Sequence, residues 1–188
     1  WKKVLDGKDI NIYFLNWGNV YVRYGDWLHR KRNEKYFLNP KILIPQIGQT
    51  PVATYDDKNY YALNTLYCLI SKGDISLKFI LAIMNCKLGK WFWLKHNSDF
   101  KTIFPKIKKS QIESIPIVKV SASDKNYNKV INQVDNLQKL NEQMQTTKLE
   151  TQRQQIQRAI DHAEKKIDML MYRLYGLSEE EIKIVEEP

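Results

Sequence analysis

Arg30, Lys31, Arg32, Gln46, Gln49, Lys95, Asn97, Lys101, Lys106, Lys108 and Lys109 are the side chains of this sequence best suited to recognising a nucleic acid. Arg, Gln and Asn carry paired donors and acceptors that match guanine or adenine edges, whereas Lys supplies charge without directional discrimination. Arg30, Arg32, Gln46, Gln49, Asn97 and Lys101 are therefore expected to read bases from loops. Lys106, Lys108 and Lys109 are expected to anchor phosphates, and Lys31 and Lys95 to add further contacts. The plainer reading of each is an ordinary solvated side chain. The other reactive residue types form no catalytic pattern. Cys68 and Cys86 lack both CxxC spacing and histidine neighbours, so they read as buried free thiols of a reducing cytosol rather than zinc ligands. His29, His96 and His162 have no visible triad partners; His96 reads either as a phosphate contact or as an ordinary loop histidine, and His162 reads as solvated. Glu181-Ile182-Lys183 matches the acidic-x-Lys end of a nuclease site only formally, because it opens an acidic helix with no strand-borne Asp to complete it. No catalytic, cofactor-binding or metal-ligating residue is expected.

Charge narrows the class further. The 188 residues carry a net charge of +9, and it is segregated. Residues 1 to 120 hold 20 Lys+Arg against 9 Asp+Glu, a balance of +11; residues 121 to 188 hold 10 against 12, a balance of −2. Such a division is expected when one region faces a polyanion and the other does not. Plain solubility does not call for it. A hydrophobic content of 43% is ample for a folded core and argues against disorder.

The element that must position the candidates is the apolar run Leu77 to Leu94. Leu77, Ile80, Leu81, Met84, Leu88, Trp91 and Phe92 recur at helical spacing, and Phe79, Ile83, Cys86 and Trp93 widen the face until little polar surface remains. This is a core helix around which a domain must wrap. Its lysines, and the lack of a partner of similar length, argue against a membrane span. It delivers a cationic loop, Lys95 to Thr102, followed by Phe104 to Lys109. Ser110-Gln111-Ile112-Glu113 then has the pattern of a capping box, and Pro116 stops the short helix.

Short strands and turns are expected before that helix. Ile10, Ile12 and Phe14 alternate with polar neighbours, Val20 to Tyr24 is rich in strand formers, and Gly18 and Gly25-Asp26 mark turns. His29 to Lys35 is a cationic loop. Lys41 to Ile44 is a strand ended by Pro45, and Leu66 to Ile70 another. Val52 to Tyr55 and Tyr60 to Leu63, flanking Asp56-Asp57-Lys58-Asn59, have the composition of a hairpin.

From Asp124 onward the sequence is polar with sparse apolar stripes. Val130, Val134, Leu137, Leu140 and Met144 mark one face; Ile156, Ile160, Ala163, Ile167, Leu170 and Leu174 follow a heptad seam. Neither stripe can be buried alone, so two antiparallel helices turning near Thr147 are favoured over one long helix. Gly176 suits a helix C-terminus, and Ser178 to Glu181 caps a final short helix. The expected fold is α+β: a small mixed β-sheet recognition domain around a buried helix (1–120), then a C-terminal helical hairpin (121–188).

The stretch Asp168 to Ile182, with Leu174-Tyr175-Gly176-Leu177 at its centre, resembles the ending of single-chain restriction-modification enzymes. Pro40-Lys41-Ile42-Leu43, Tyr55-Asp56, Leu81 to Leu88 and Ile112 to Ile117 resemble the TaqI-like C-terminal specificity domain, which usually has Asn-Ser where this chain has Asn85-Cys86. The likeness runs from about Trp17 to Glu186. It implies a target recognition domain that reads double-stranded DNA, followed by helices, as in the specificity subunits of multi-subunit restriction systems. Methyltransferase and nuclease domains would precede it in the same chain, and S-adenosylmethionine and Mg²⁺ would belong to them. Only Asn39-Pro40-Lys41 approaches the Asn/Asp-Pro-Pro-Tyr/Phe cluster that holds a flipped adenine, and it fails at the third position. Trp1 in place of Met, with no secretory leader pattern, leads us to expect a piece of a longer bacterial, cytoplasmic protein. The competing expectations are a helical protein-protein interaction module with incidental basic charge and a specificity subunit of a multi-subunit restriction system.

Overall fold

Ile42, Leu43 and Ile44 are all fully buried, and their strand divides the hydrophobic interior in two. Ile42 and Ile44 face a core built with helices, whereas Leu43 faces a second core with Leu5, Phe37, Tyr61 and Leu66. A strand covered on both sides needs an unbroken apolar run, which Ile42 to Pro45 supplies. The computed structural model describes residues 1–97 and 105–187. Its elements in chain order are β1 (Lys2–Leu5), a 3₁₀ turn (Gly7–Asp9), β2 (Ile10–Asn11), β3 (Phe14–Leu15), β4 (Tyr21–Val22), α1 (Lys35–Leu38) and β5 (Lys41–Pro45). Then come β6 (Thr54–Asp56), β7 (Tyr61–Ala62), β8 (Leu66–Leu69), α2 (Leu77–Asn85) and α3 (Lys87–Asn97). The chain closes with α4 (Lys109–Glu113), α5 (Lys125–Thr146), α6 (Glu150–Tyr175) and α7 (Glu179–Glu186). The fold is α+β with a helical C-terminal part. No helix among the described residues is long and apolar enough to cross a membrane.

Two three-stranded sheets form, in the orders β4-β1-β7 and β6-β5-β8, beside the small β2-β3 ribbon. The expected hairpin between Val52–Tyr55 and Tyr60–Leu63 is absent. β6 pairs with β5, while β7 runs parallel to β1 in the other sheet. The reason lies in Asp56, which is turned inward. Its carboxylate accepts from Lys58 N at 2.8 Å and Tyr60 N at 3.1 Å, and it pairs with Lys41 Nζ at 2.5 Å, both side chains being fully buried. Lys41 Nζ also donates to Phe37 O at 2.8 Å. The turn therefore hands the chain from one sheet to the other. The Ile10–Phe14 alternation is likewise not one strand: the chain reverses at Ile12-Tyr13, where Tyr13 takes φ 65° and buries its ring in the helical core.

The expected single helix from Leu77 to Leu94 is two. α2 ends at Asn85, the ψ of 163° at its C-cap Cys86 breaks the ladder, and α3 starts at Lys87. Gly89 permits the sharp junction, since a Cβ there would lie 1.9 Å from Ile83 O. Asn85, almost wholly buried, holds the Ala53 backbone by accepting from its N–H at 3.1 Å and donating to its carbonyl at 2.9 Å. Cys86 Sγ accepts weakly from Gly89 N at 3.4 Å, so the thiol stands as a cap where the related pattern has a hydroxyl. Burial pushes the Cys86 thiol up to about 12, consistent with an inert structural cysteine. Cys68 is only half-buried, and neither thiol is in a disulfide.

The tail folds as an antiparallel pair. α5 ends at Thr146 with Thr147 as its C-cap, α6 begins after Leu149, and Val130, Val134, Leu137, Ile160, Ala163, Ile167 and Leu170 are buried between them and against α2. Gly176 ends α6 at φ 70°, and Ser178 caps α7 as expected. The α4 cap is shifted two residues from the expected one: Lys108 occupies the cap position and its N–H donates to Gln111 Oε1 at 2.8 Å.

Candidate nucleic-acid interface

The loop after β5 is held open by a short antiparallel ladder. Ile107 N donates to Gln46 O, and Gly48 N to Pro105 O, both at 3.0 Å, placing Ile47 opposite Lys106. Side chains directly opposite in such a ladder share a face. Ile47 is 54% exposed and Lys106 is exposed, while Ile107 on the other face is buried. Gln46 is half-buried and Gln49 exposed. Trp93 Nε1, reaching from the buried side of α3, donates to Gln49 O at 2.9 Å. The backbone of Gln49 is thus fixed while its amide side chain stands in solvent, the arrangement a directional reader needs. Lys108 is exposed at the start of α4; Lys109 is partly offset by Glu113, 3.2 Å away one turn later.

The structure ties two of the candidate segments to neighbouring residues. Gln46 N donates to Thr65 O at 2.9 Å, and Arg32 Nη1 donates to Leu66 O at 3.1 Å, so both candidate segments are anchored on adjacent residues at the start of β8. Arg32 is half-buried, and its carbonyl accepts from Tyr24 OH at 2.5 Å; part of its donor capacity goes into holding the loop. Arg30 is exposed, and Lys31 is paired with Asp26 at 2.7 Å. Among the described residues, Arg30, Lys106 and Lys108 form no ion pair. Lys95 and Asn97 lie on the last turn of α3, not in a loop as expected, because α3 continues three residues beyond the apolar run. Lys101 lies outside the described residues. His96 Nδ1 is 3.0 Å from Phe92 O, and its ring stacks on Phe92.

Sequence reasoning missed two features. Cations lie over aromatic rings along the β4-β1-β7 sheet: Lys3 over Trp17 and Arg23 over Trp27, each at 4.6 Å. The signal, aromatic and basic residues interleaved from Trp1 to Trp27, was visible in the sequence. The second is Asp168. From α6 its Oδ1 accepts from Lys87 N at 2.8 Å, capping α3 from the tail. Burial pushes the Asp168 carboxyl above its ordinary range, partly opposed by that same bond. Around it, Lys87 pairs with Glu186, Tyr172 OH donates to Glu186 at 2.8 Å, and Tyr175 OH donates to Pro116 O at 2.7 Å. Asp168 thus ties α6 to the start of α3, the helix that also carries Trp93.

A family model described as a TaqI-like C-terminal specificity domain matches residues 2–117, which takes in every strand and α1 to α4. The helical tail, including Asp168 to Ile182, lies beyond that match. No curated protein matches the chain.

Proposed function

We propose, from the premise that this chain belongs to the TaqI-like C-terminal specificity domain family, that it reads a double-stranded DNA sequence for a bacterial restriction-modification enzyme. The observation that carries this reading is the stapled loop: Gln46 and Gln49 held between a Lys106–Lys109 segment and Trp93. Amides on a fixed backbone beside lysines combine the two things a sequence reader needs, directional bonds and phosphate charge. In this reading residues 1–120 are the recognition domain and residues 121–188 brace it against catalytic domains elsewhere in the same chain. Methyl transfer and strand cleavage, with their S-adenosylmethionine and Mg²⁺, belong to those domains, in the cytoplasm. No catalytic role falls to this piece.

Alanine substitution separates base readers from anchors. At Arg30, Gln46, Gln49 or Asn97 it is expected to cost about 1–3 kcal/mol on the cognate duplex and to relax preference at one base pair. Lys101, and Arg32 with its remaining donors, belong to the same test. If every one of these changes leaves the preference intact, the bases are read elsewhere. The alternative, a helical interaction module, has less to work with, since the apolar stripes of α5 and α6 are spent on each other and on α2.

A further inference from the structure

Ile47 is a β-branched apolar residue at the tip of the loop between β5 and β6, and it is 54% exposed. The ladder register turns it to the face of Lys106. Its neighbours in the ladder show the contrast: Ile107 is turned inward at 2% exposure, and Ile44, three residues earlier, is fully buried. The position is also stiff, being bonded through Gln46 and Gly48 on one side and through Gln49 to Trp93 on the other. The Ile47 side chain stands on the same face as Lys106 and forms part of the rim of an open cavity of about 500 Å³, shared with Lys8, Thr50 and Val52. A fixed apolar group beside a phosphate-seeking cation and an exposed amide has an obvious counterpart in the major groove. Thymine alone of the four bases presents a methyl group there.

We propose that Ile47 is a specificity-determining residue that packs on the 5-methyl group of a thymine, with Lys106 anchoring a phosphate of the same segment and Gln49 bonding a neighbouring base edge. This rests on the reading of the chain as a DNA specificity domain and adds a base identity to it. Apolar contact discriminates by shape and desolvation, so it complements the amide without competing for donors.

The test starts with selection of duplexes from a randomised library by the 188-residue chain, followed by synthesis of the selected duplex with each thymine replaced singly by deoxyuridine. That replacement removes one methyl group and leaves base pairing unchanged. One position is expected to weaken binding by about three- to fivefold, the value of burying a single methyl. The Ile47→Ala variant is expected to bind the parent duplex with the same loss and to be indifferent to deoxyuridine at that position, while Ile47→Val retains the discrimination. Because the side chain is exposed, both variants should melt with the parent chain. The inference is overturned if the selected sequence contains no thymine, or if Ile47→Ala keeps the full deoxyuridine penalty. Selection of no sequence at all by the parent chain would overturn the specificity reading itself, and this inference with it.

Discussion

Replacing Asp168 tests whether the tail holds the recognition part in place. Asp168, 6% exposed, lies at the start of α3, where its Oδ1 accepts from Lys87 N at 2.8 Å. Asp168→Ala removes a cap, a change that costs about 0.5–2 kcal/mol. It also strands a partly buried backbone donor, worth about 1–3 kcal/mol. The two overlap, so a loss of about 2 kcal/mol is expected, or a fall in Tm of about 4–8 °C for a chain of this size. Asp168→Asn keeps an oxygen at the cap and should stay within about 0.5 kcal/mol of the parent at neutral pH. The pH dependence has a definite sign. Burial raises the Asp168 carboxyl above its ordinary 3.8, so the folded chain holds this proton more tightly than the unfolded chain. The parent should therefore gain stability relative to Asp168→Asn as pH falls through the raised value towards 3.8. Comparison with Asn separates this carboxyl from Glu164, which burial also pushes up. Urea denaturation of the three proteins over an acidic pH series makes the measurement. Equal stability of Asp168→Ala and the parent, or an Asn variant as weak as the Ala variant, would refute the capping role.

Ile167→Ala and Ile160→Ala, at 1% and 6% exposure in the seam of α5 and α6, should each cost about 2–4 kcal/mol in urea melts. Thr147→Gly, in the turn between them, should cost under about 1 kcal/mol. Lys106→Ala and Lys108→Ala should weaken binding to all duplexes alike and each make the log–log salt slope shallower by about one unit; Lys109→Ala should do less, because Glu113 already offsets it. Supplied with Mg²⁺ and S-adenosylmethionine, the purified chain should neither cut nor methylate DNA, as gel and methyl-transfer assays would show.

What could be read from the sequence was whatever a local pattern determines. The α5–α6 pair, the Thr147 turn, the Gly176 terminus and the Ser178 cap all follow from periodicity and capping chemistry between near neighbours. β5 and β8 were legible because continuous apolar runs mark them. The misses depended on partners distant in sequence. Asp56 has turn chemistry, but the buried Lys41 beside it decides which sheet each flanking strand joins. The apolar run after Leu77 has helical spacing throughout, and the break at Cys86 is closed by a close approach of Gly89 to Ile83 and by Asp168 from a distant helix. For the candidate interface, residue types pointed to Gln46 and Gln49, but nothing local revealed that Trp93 and the Pro105–Ile107 backbone hold that loop. Asp168 stood inside a resemblance without a stated job, because its partner lies 81 residues away.

If the basic first part of this chain grips duplex DNA, that grip must weaken as salt rises. A fluorescence titration of the 188-residue chain against duplex DNA over a series of salt concentrations reads this out. With a balance of +11 in residues 1 to 120, neutralising some 4 to 6 phosphates should give a log–log slope of roughly −4 to −5. Failure to bind at low salt, or binding indifferent to salt, would contradict it.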